Sequence, residues 1–249
     1  MTVTPQMFPL VCLCAVGAGF LTASIGFGGA IFMMLFLPHF IPFLQSSALA
    51  SVIVYGGIIV LALKYRKYTR WKELPVPALF YMLCSVPMVF LSRSIHLPTL
   101  KLVFSLFIIT LGLYNIYGVL HAGEIQLKKN LPTTIICACL AGLGTGLFGI
   151  GGPPIALYFL AVTGGDKSAY AGTVQTFFAI CMVASISARF ASGILTVSML
   201  PLAATGMAAS FFGNWLGTRA LNRVNVKLLK IAVCIFMIIS GMISFIECL

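Results

Sequence analysis

Of 249 residues, 61% are hydrophobic and only 8% charged, and the mean hydropathy is +1.11, which excludes a soluble globular domain. The net charge of +11 does not mark a nucleic-acid binder, because the bases sit in loops between apolar stretches, beginning with KYRKYTRWK at 64–72, where they read as membrane-topology signals. The expected surroundings are a lipid bilayer, with no nucleic-acid partner.

Uncharged apolar runs occupy 8–37, 43–63, 75–92, 102–120, 132–162, 168–188, 195–218 and 231–246. Each predicts membrane helix, so the expected fold is all-α and polytopic, a single transmembrane domain over 1–249. Residues 1–7 carry no Lys or Arg, and the first run is too long for the apolar core of a signal peptide. It is expected to stay in the mature protein. Trp71, beside the basic loop, reads as an interfacial anchor. Pro77 and Pro87 predict bends in the third run. Asn115 and Asn214 read as interhelical hydrogen-bond partners, and Gly213 with Gly217 as a close helix crossing. The eight cysteines form no CxxC pair or His/Cys cluster and read as packing residues. Cys12 with Cys14, and Cys137 with Cys139, lie two apart and so point away from one another on a helix. No cofactor, metal or catalytic residue is expected.

The first and fifth runs are anomalous. Each holds about 30 residues, ~45 Å as a straight helix, against ~30 Å of hydrocarbon. Each also contains a glycine-studded stretch, GFLTASIGFGGAI at 19–31 and GTGLFGIGGPPIA at 144–156. Ala18-Gly19 matches Ala141-Gly142, Thr22 matches Thr145, and Gly26-Phe27-Gly28-Gly29 matches Gly149-Ile150-Gly151-Gly152, all 123 positions apart. With small shifts, Ser47-Ala48 falls over Ser168-Ala169, Arg93 over Arg219 and Lys101 over Lys227. A four-segment unit used twice is expected, over 8–120 and 132–246.

The basic residues choose between two ways of threading it. If every run crosses the membrane once, Lys and Arg divide almost evenly between the two sides, against the usual cytoplasmic bias. If the two long runs turn back at their glycines as re-entrant hairpins, only Arg93, Lys101 and Arg189 face one compartment and every other Lys and Arg faces the opposite one. The second threading is expected. Each unit then makes an odd number of crossings, so the second is inverted relative to the first. Both termini lie outside the cytoplasm, and the two breaks approach each other from opposite faces.

Irregular backbone inside a bilayer leaves amides and carbonyls unpaired unless protein or a watery cavity covers them. Gly26, Gly28, Gly29, Gly149, Gly151 and Gly152 permit unusual backbone angles and close approach, while Pro153-Pro154 suits the start of the next helix. Exposed amides at a helix start favour an anion. Thr22, Ser24 and Thr145 are the hydroxyls beside the breaks. Ser51, Thr173 and Gln175, early in the following segments, are further candidates. No ionisable residue falls in the central part of any run, which argues against carboxylate-based proton or cation pathways. Arg93, Arg189 and Arg219, near run ends, are expected to snorkel to the interface.

The pair of stretches GFLTASIGFGGAI and GTGLFGIGGPPIALYFL, one at the start of each half of an eight-segment chain, resembles the sulfite exporter TauE/SafE family of membrane transporters. The resemblance covers essentially the whole chain. It implies a non-enzymatic plasma-membrane carrier of small anions, above all sulfite and sulfonates, with the family signature on Gly26, Gly28, Gly29, Gly149, Gly151, Gly152, Pro153 and Pro154. The first copy departs from the second in having Ala30-Ile31 where Pro153-Pro154 stand, leaving its helix start less rigidly defined. An anion channel, or a membrane thiol protein using its cysteines, are the alternatives. A homo-oligomer is compatible with either.

Overall fold

A computed structural model describes residues 5–120, 130–164, 166–220 and 226–246. Among them the chain is helical, without strands: α1 (Met7–Ile25), α2 (Gly29–Phe36), α3 (Phe43–Tyr65), α4 (Pro75–Ser92), α5 (Leu97–Leu120), α6 (Leu131–Phe148), α7 (Gly152–Thr163), α8 (Lys167–Ala191), α9 (Leu200–Ala220) and α10 (Val226–Ile246). The eight apolar runs are all present, and the two overlong ones are each split in two, as α1–α2 and α6–α7. Six helices are long and apolar enough to cross a membrane: α1, α3, α4, α5, α6 and α8. α9 is long enough, but Gly, Ala, Ser and Thr dilute its hydropathy. Lys128, Lys129 and Arg223, which the charge argument used, lie outside the described residues, as do the side chains of Lys227 and Lys230.

The surface is apolar and the interior carries hydroxyls, the reverse of a soluble protein. Leu13, Leu63 and Leu79 are exposed, whereas Ser46, Ser47, Ser51, Ser85, Thr173 and Ser185 are buried. Inside, serine and threonine mostly return their hydroxyls to their own helix, as in Ser51 Oγ to Ser47 O at 2.7 Å and Thr163 Oγ1 to Phe159 O at 2.8 Å. That satisfies them without water.

Glycine notches set the close helix crossings. A methyl group on Gly213 would fall 2.1 Å from Val16 O, one on Gly217 2.6 Å from Phe20 O, and one on Gly19 2.2 Å from Ser210 O. α1 and α9 therefore run parallel with their backbones touching, as the GxxxG spacing predicted. α6 lies parallel on α4 in the same manner, with Gly142 against Tyr81 and Gly146 against Ser85. By contrast α3 and α8 are antiparallel: Gly172 abuts Tyr65, Tyr55 donates to Ala179 O at 3.1 Å, and Arg189 reaches Ser47. α5 and α10 are antiparallel too, with Gly112 beside Ile238 and Gly241 beside Ile109. Exchanging the two halves maps this set of pairings onto itself.

The short helices fold back on the long ones. Gly29 of α2 rests on Ala18 and Thr22 of α1, and Phe32 of α2 covers Gly17; Gly151 likewise rests on Ala141 and Thr145. The Arg70 guanidinium donates to Val162 O at 2.8 Å and Thr163 O at 3.2 Å, and Arg93 donates to Ser192 O. These contacts join chain ends that single crossings by every run would leave on opposite sides.

Among the described residues neither asparagine shows the interhelical bond expected of it. Asn115 Nδ2 donates to Leu111 O of its own helix at 2.7 Å. Asn214 packs its amide into the notch at Gly57, with neither side-chain atom paired.

Replacing Gly213 with Ala drives a methyl group into α1 and is expected to destabilise the protein by about 1–3 kcal/mol. Gly118→Ala, with nothing within 4 Å, is expected to change little; thermal unfolding of both variants in detergent checks the difference.

Candidate functional site

α1 ends because Gly26 adopts a left-handed conformation (φ 93°) and returns its N–H to Thr22 O at 2.9 Å. Two residues on, Gly28 (φ 106°) opens α2. Both angles favour glycine. The second break repeats the device with a two-bond cap: Gly149 (φ 76°) donates to Thr145 O at 2.8 Å, and Ile150 donates to Gly144 O at 3.1 Å.

Neither new helix is capped by a side chain. The first amides of α2, at Gly29, Ala30 and Ile31, have no carbonyl one turn before them. In α7 the equivalent positions are Gly152, Pro153 and Pro154, of which only Gly152 has an N–H. The departure of the first copy from Pro-Pro thus leaves α2 with more free donors, and α7 with a start that is sterically better defined but poorer in them.

The breaks meet. A Cβ on Gly152 would lie 2.9 Å from Phe27 Cβ. Between them is a cavity of about 40 Å³, lined by Thr22, Gly26, Phe27, Gly28, Gly29 and Ala30 from the first break and Thr145, Gly149, Ile150, Gly151 and Gly152 from the second, with Val54, Ile58, Tyr81, Phe178 and Met182 closing the sides. One water needs roughly 10–15 Å³ on this measure, so the space suits a few waters or one small oxyanion.

Two threonines at matching positions are placed differently. Thr22 Oγ1 donates to Ala18 O at 2.9 Å, which commits its hydrogen. Thr145 Oγ1 instead accepts from Tyr81 at 2.7 Å, and among the described residues no bond from it to its own helix is seen. Tyr81 is fully buried, with its ring edge-on to Phe177 at 5.3 Å.

The remaining candidates stand behind the cavity wall. Gln175 Nε2 donates to Gly26 O at 2.9 Å, tying α8 to the first break. Ser51 packs against Gly149, and Thr173 Oγ1 accepts from Arg70 N at 3.1 Å. Ser24 is buried with its hydroxyl unpaired. Pro153 is buried, has no N–H to offer and does not line the cavity. None of the described cysteines lines it either.

Arg189 corrects the expectation that it snorkels. α8 runs on to Ala191 and turns this side chain inward, where it is completely buried and donates to Ser47 Oγ at 2.6 Å, Thr145 O at 2.7 Å and Gly146 O at 3.2 Å. It therefore closes the C-terminal end of α6 beside the second break. Arg219 stacks on Trp215 at 3.9 Å, as an interfacial side chain does. Tyr81 and Arg189 were not singled out from the sequence as parts of the site. Tyr81 has no local motif around it, and Arg189 lies at a run end, like any topology signal.

Two uncapped helix starts facing one small cavity inside an apolar bundle define a polytopic membrane protein built around paired helix breaks. The family model described as Sulfite exporter TauE/SafE matches residues 11–243. The chain belongs to that family, and it is accordingly a membrane transporter. No curated protein and no solved structure matches it.

Gly151→Val would put a side chain within about 2 Å of Thr145 Oγ1 and Ala141 O, and Gly28→Val forces a β-branched residue to φ near 106°. Both are expected to abolish transport while membrane insertion, read by fractionation, is retained. Thr145→Val is expected to raise the KM for the transported anion about 5–10-fold, the worth of one hydrogen bond. Thr110→Val, which loses only an exposed bond to Leu106 O, is expected to leave it unchanged; initial uptake rates compare the two.

Proposed function

We propose that this protein is a plasma-membrane carrier of small anions, of the size and charge of sulfur oxyanions or sulfonates, working by alternating access around the paired breaks. The observation that carries the reading is the convergence of two helix N-termini on one cavity. Uncovered amides at Gly29 to Ile31 and at Gly152, with the Thr145 hydroxyl, supply donors and a positive dipole end to an oxyanion. The cavity's small volume favours a compact cargo.

The two units, 8–120 and 132–246, form one transmembrane domain as an inverted repeat. Support comes from the pairings of equivalent helices: α3 with α8 and α5 with α10 are antiparallel, which a two-fold axis in the membrane plane produces and an axis along the helices does not. In that arrangement both termini are non-cytoplasmic, and Arg93 and Lys101 face outward.

A second cavity of about 430 Å³ opens among α2, α5 and α10, with Lys101, His39, Phe43 and Phe104 among its lining. The two phenylalanine rings lie 6.3 and 5.2 Å from Phe148, the residue before Gly149. It serves as an outer vestibule, separated from the breaks by an aromatic partition whose movement opens one side. With the cell interior negative, such a path drives anions outward.

Purified protein in proteoliposomes is expected to give saturable uptake of radiolabelled sulfite, inhibited by small sulfonates and stimulated by an inside-positive potential. Unitary currents in a planar bilayer would instead mark an anion channel. Loss of sulfite transport on replacing the cysteines with serine would mark a thiol-based protein. Reporter fusions at both ends are expected to read non-cytoplasmic.

A further inference from the structure

Arg189 presents an electrostatic problem that its hydrogen bonds do not solve. It is the largest of the fully buried side chains, and its partners are one hydroxyl and two backbone carbonyls, all neutral. Its Nε–H is buried without an acceptor. Among the described residues the carboxylates are Glu73 and Asp166. Asp166 caps the opposite end of α8, roughly 34 Å away at 1.5 Å per residue. Glu73 precedes α4, whose Ser85 meets Ser185, one turn before Arg189, at 3.1 Å; that leaves it roughly 18 Å down the helix. A buried cation without a counter-charge is strongly unfavourable.

Capping α6 would not by itself require a charge. The second break is already closed by Gly149 and Ile150 donating to Thr145 O and Gly144 O, and elsewhere in this chain neutral side chains meet helix ends, as Asn130 does at the start of α6. What the charge adds is a field, and it is placed beside the cavity: Thr145, whose carbonyl accepts from Arg189, is one of the residues that line that cavity. In so apolar an interior, that field is weakly screened.

We propose that Arg189 is the specificity-determining charge of this transporter, a cation held behind the Thr145–Gly146 turn whose counter-ion, absent among the described residues, is the anion occupying the cavity between the breaks. The proposal rests on the anion-carrier reading. Arg189 is a positioning residue that does not touch the cargo. Ser47 sets its place by accepting from Nη1 and is not part of the cavity lining, so a carboxylate at that position would cancel the charge while leaving the guanidinium on Thr145 O and Gly146 O.

The test measures KM and maximal rate for radiolabelled sulfite in proteoliposomes, with thermal unfolding in detergent as the check on folding. Arg189→Gln and Ser47→Asp are expected to raise KM tenfold or more, with a smaller change in maximal rate. Arg189→Lys and Ser47→Asn are expected to stay within about threefold of wild type. Ser47→Asp keeps the test open if Arg189→Gln does not fold, because it forms an ion pair in place of a void. Equal KM values for Ser47→Asp and Ser47→Asn, or equal impairment of Arg189→Lys and Arg189→Gln, would overturn the proposal and reduce Arg189 to a helix cap. Wild-type protein without sulfite or sulfonate uptake would overturn the carrier reading and this inference with it, whereas active wild type with an unaffected Ser47→Asp overturns the inference alone.

Discussion

A peptide N–H inside a bilayer must find an acceptor, because lipid offers none. This chain meets that rule along its helices and suspends it at two places, where Gly26–Gly29 and Gly149–Gly152 each stop one helix and start another without a side-chain cap. Much of the rest of the fold serves those two places. The returning helices α2 and α7 lie on the arms they came from, glycine notches let α9 and α4 cover those arms closely, and Gln175 and Ser51, one from each half, brace the opposite unit's break. The irregular backbone is thereby covered by protein, and residues of both breaks line a cavity of about 40 Å³.

Within that frame the two halves are not equal. α2 begins with three successive amides, whereas Pro153 and Pro154 leave α7 mainly Gly152. The second break adds side chains: the Thr145 hydroxyl oxygen accepts from Tyr81, and Arg189 donates to the Thr145 carbonyl. One break is therefore richer in backbone donors and the other in side-chain groups.

The parts visible in the sequence were those governed by length and local chemistry. Runs too long for the bilayer, interrupted by glycine, broke where the GxGG spacing said they would, and Gly213 with Gly217 marked a true crossing. What escaped were features decided by distant contacts. Thr22 and Thr145 look alike in their motifs, but the Thr22 hydroxyl donates to its own helix whereas that of Thr145 accepts from Tyr81, 64 residues away. Arg189 sits where a snorkelling residue would, and the extra turn of α8 that buries it has no local signal. Asn115 and Asn214 were read from a rule about polar residues between helices, but one bonds within its own helix and the other lies unpaired in a notch.

If the amides at the facing breaks hold an anion, a heavier analogue locates it directly. Crystals of the protein grown with selenite, measured at the selenium edge against methionine-sulfur protein, should show an anomalous peak between Gly28–Ile31 and Gly151–Gly152, within hydrogen-bond reach of the Thr145 hydroxyl, and no such peak in Gly151→Val crystals. Anomalous density confined to the Lys101 vestibule or the basic loops, with the cavity at the breaks empty, would contradict anion binding by those amides.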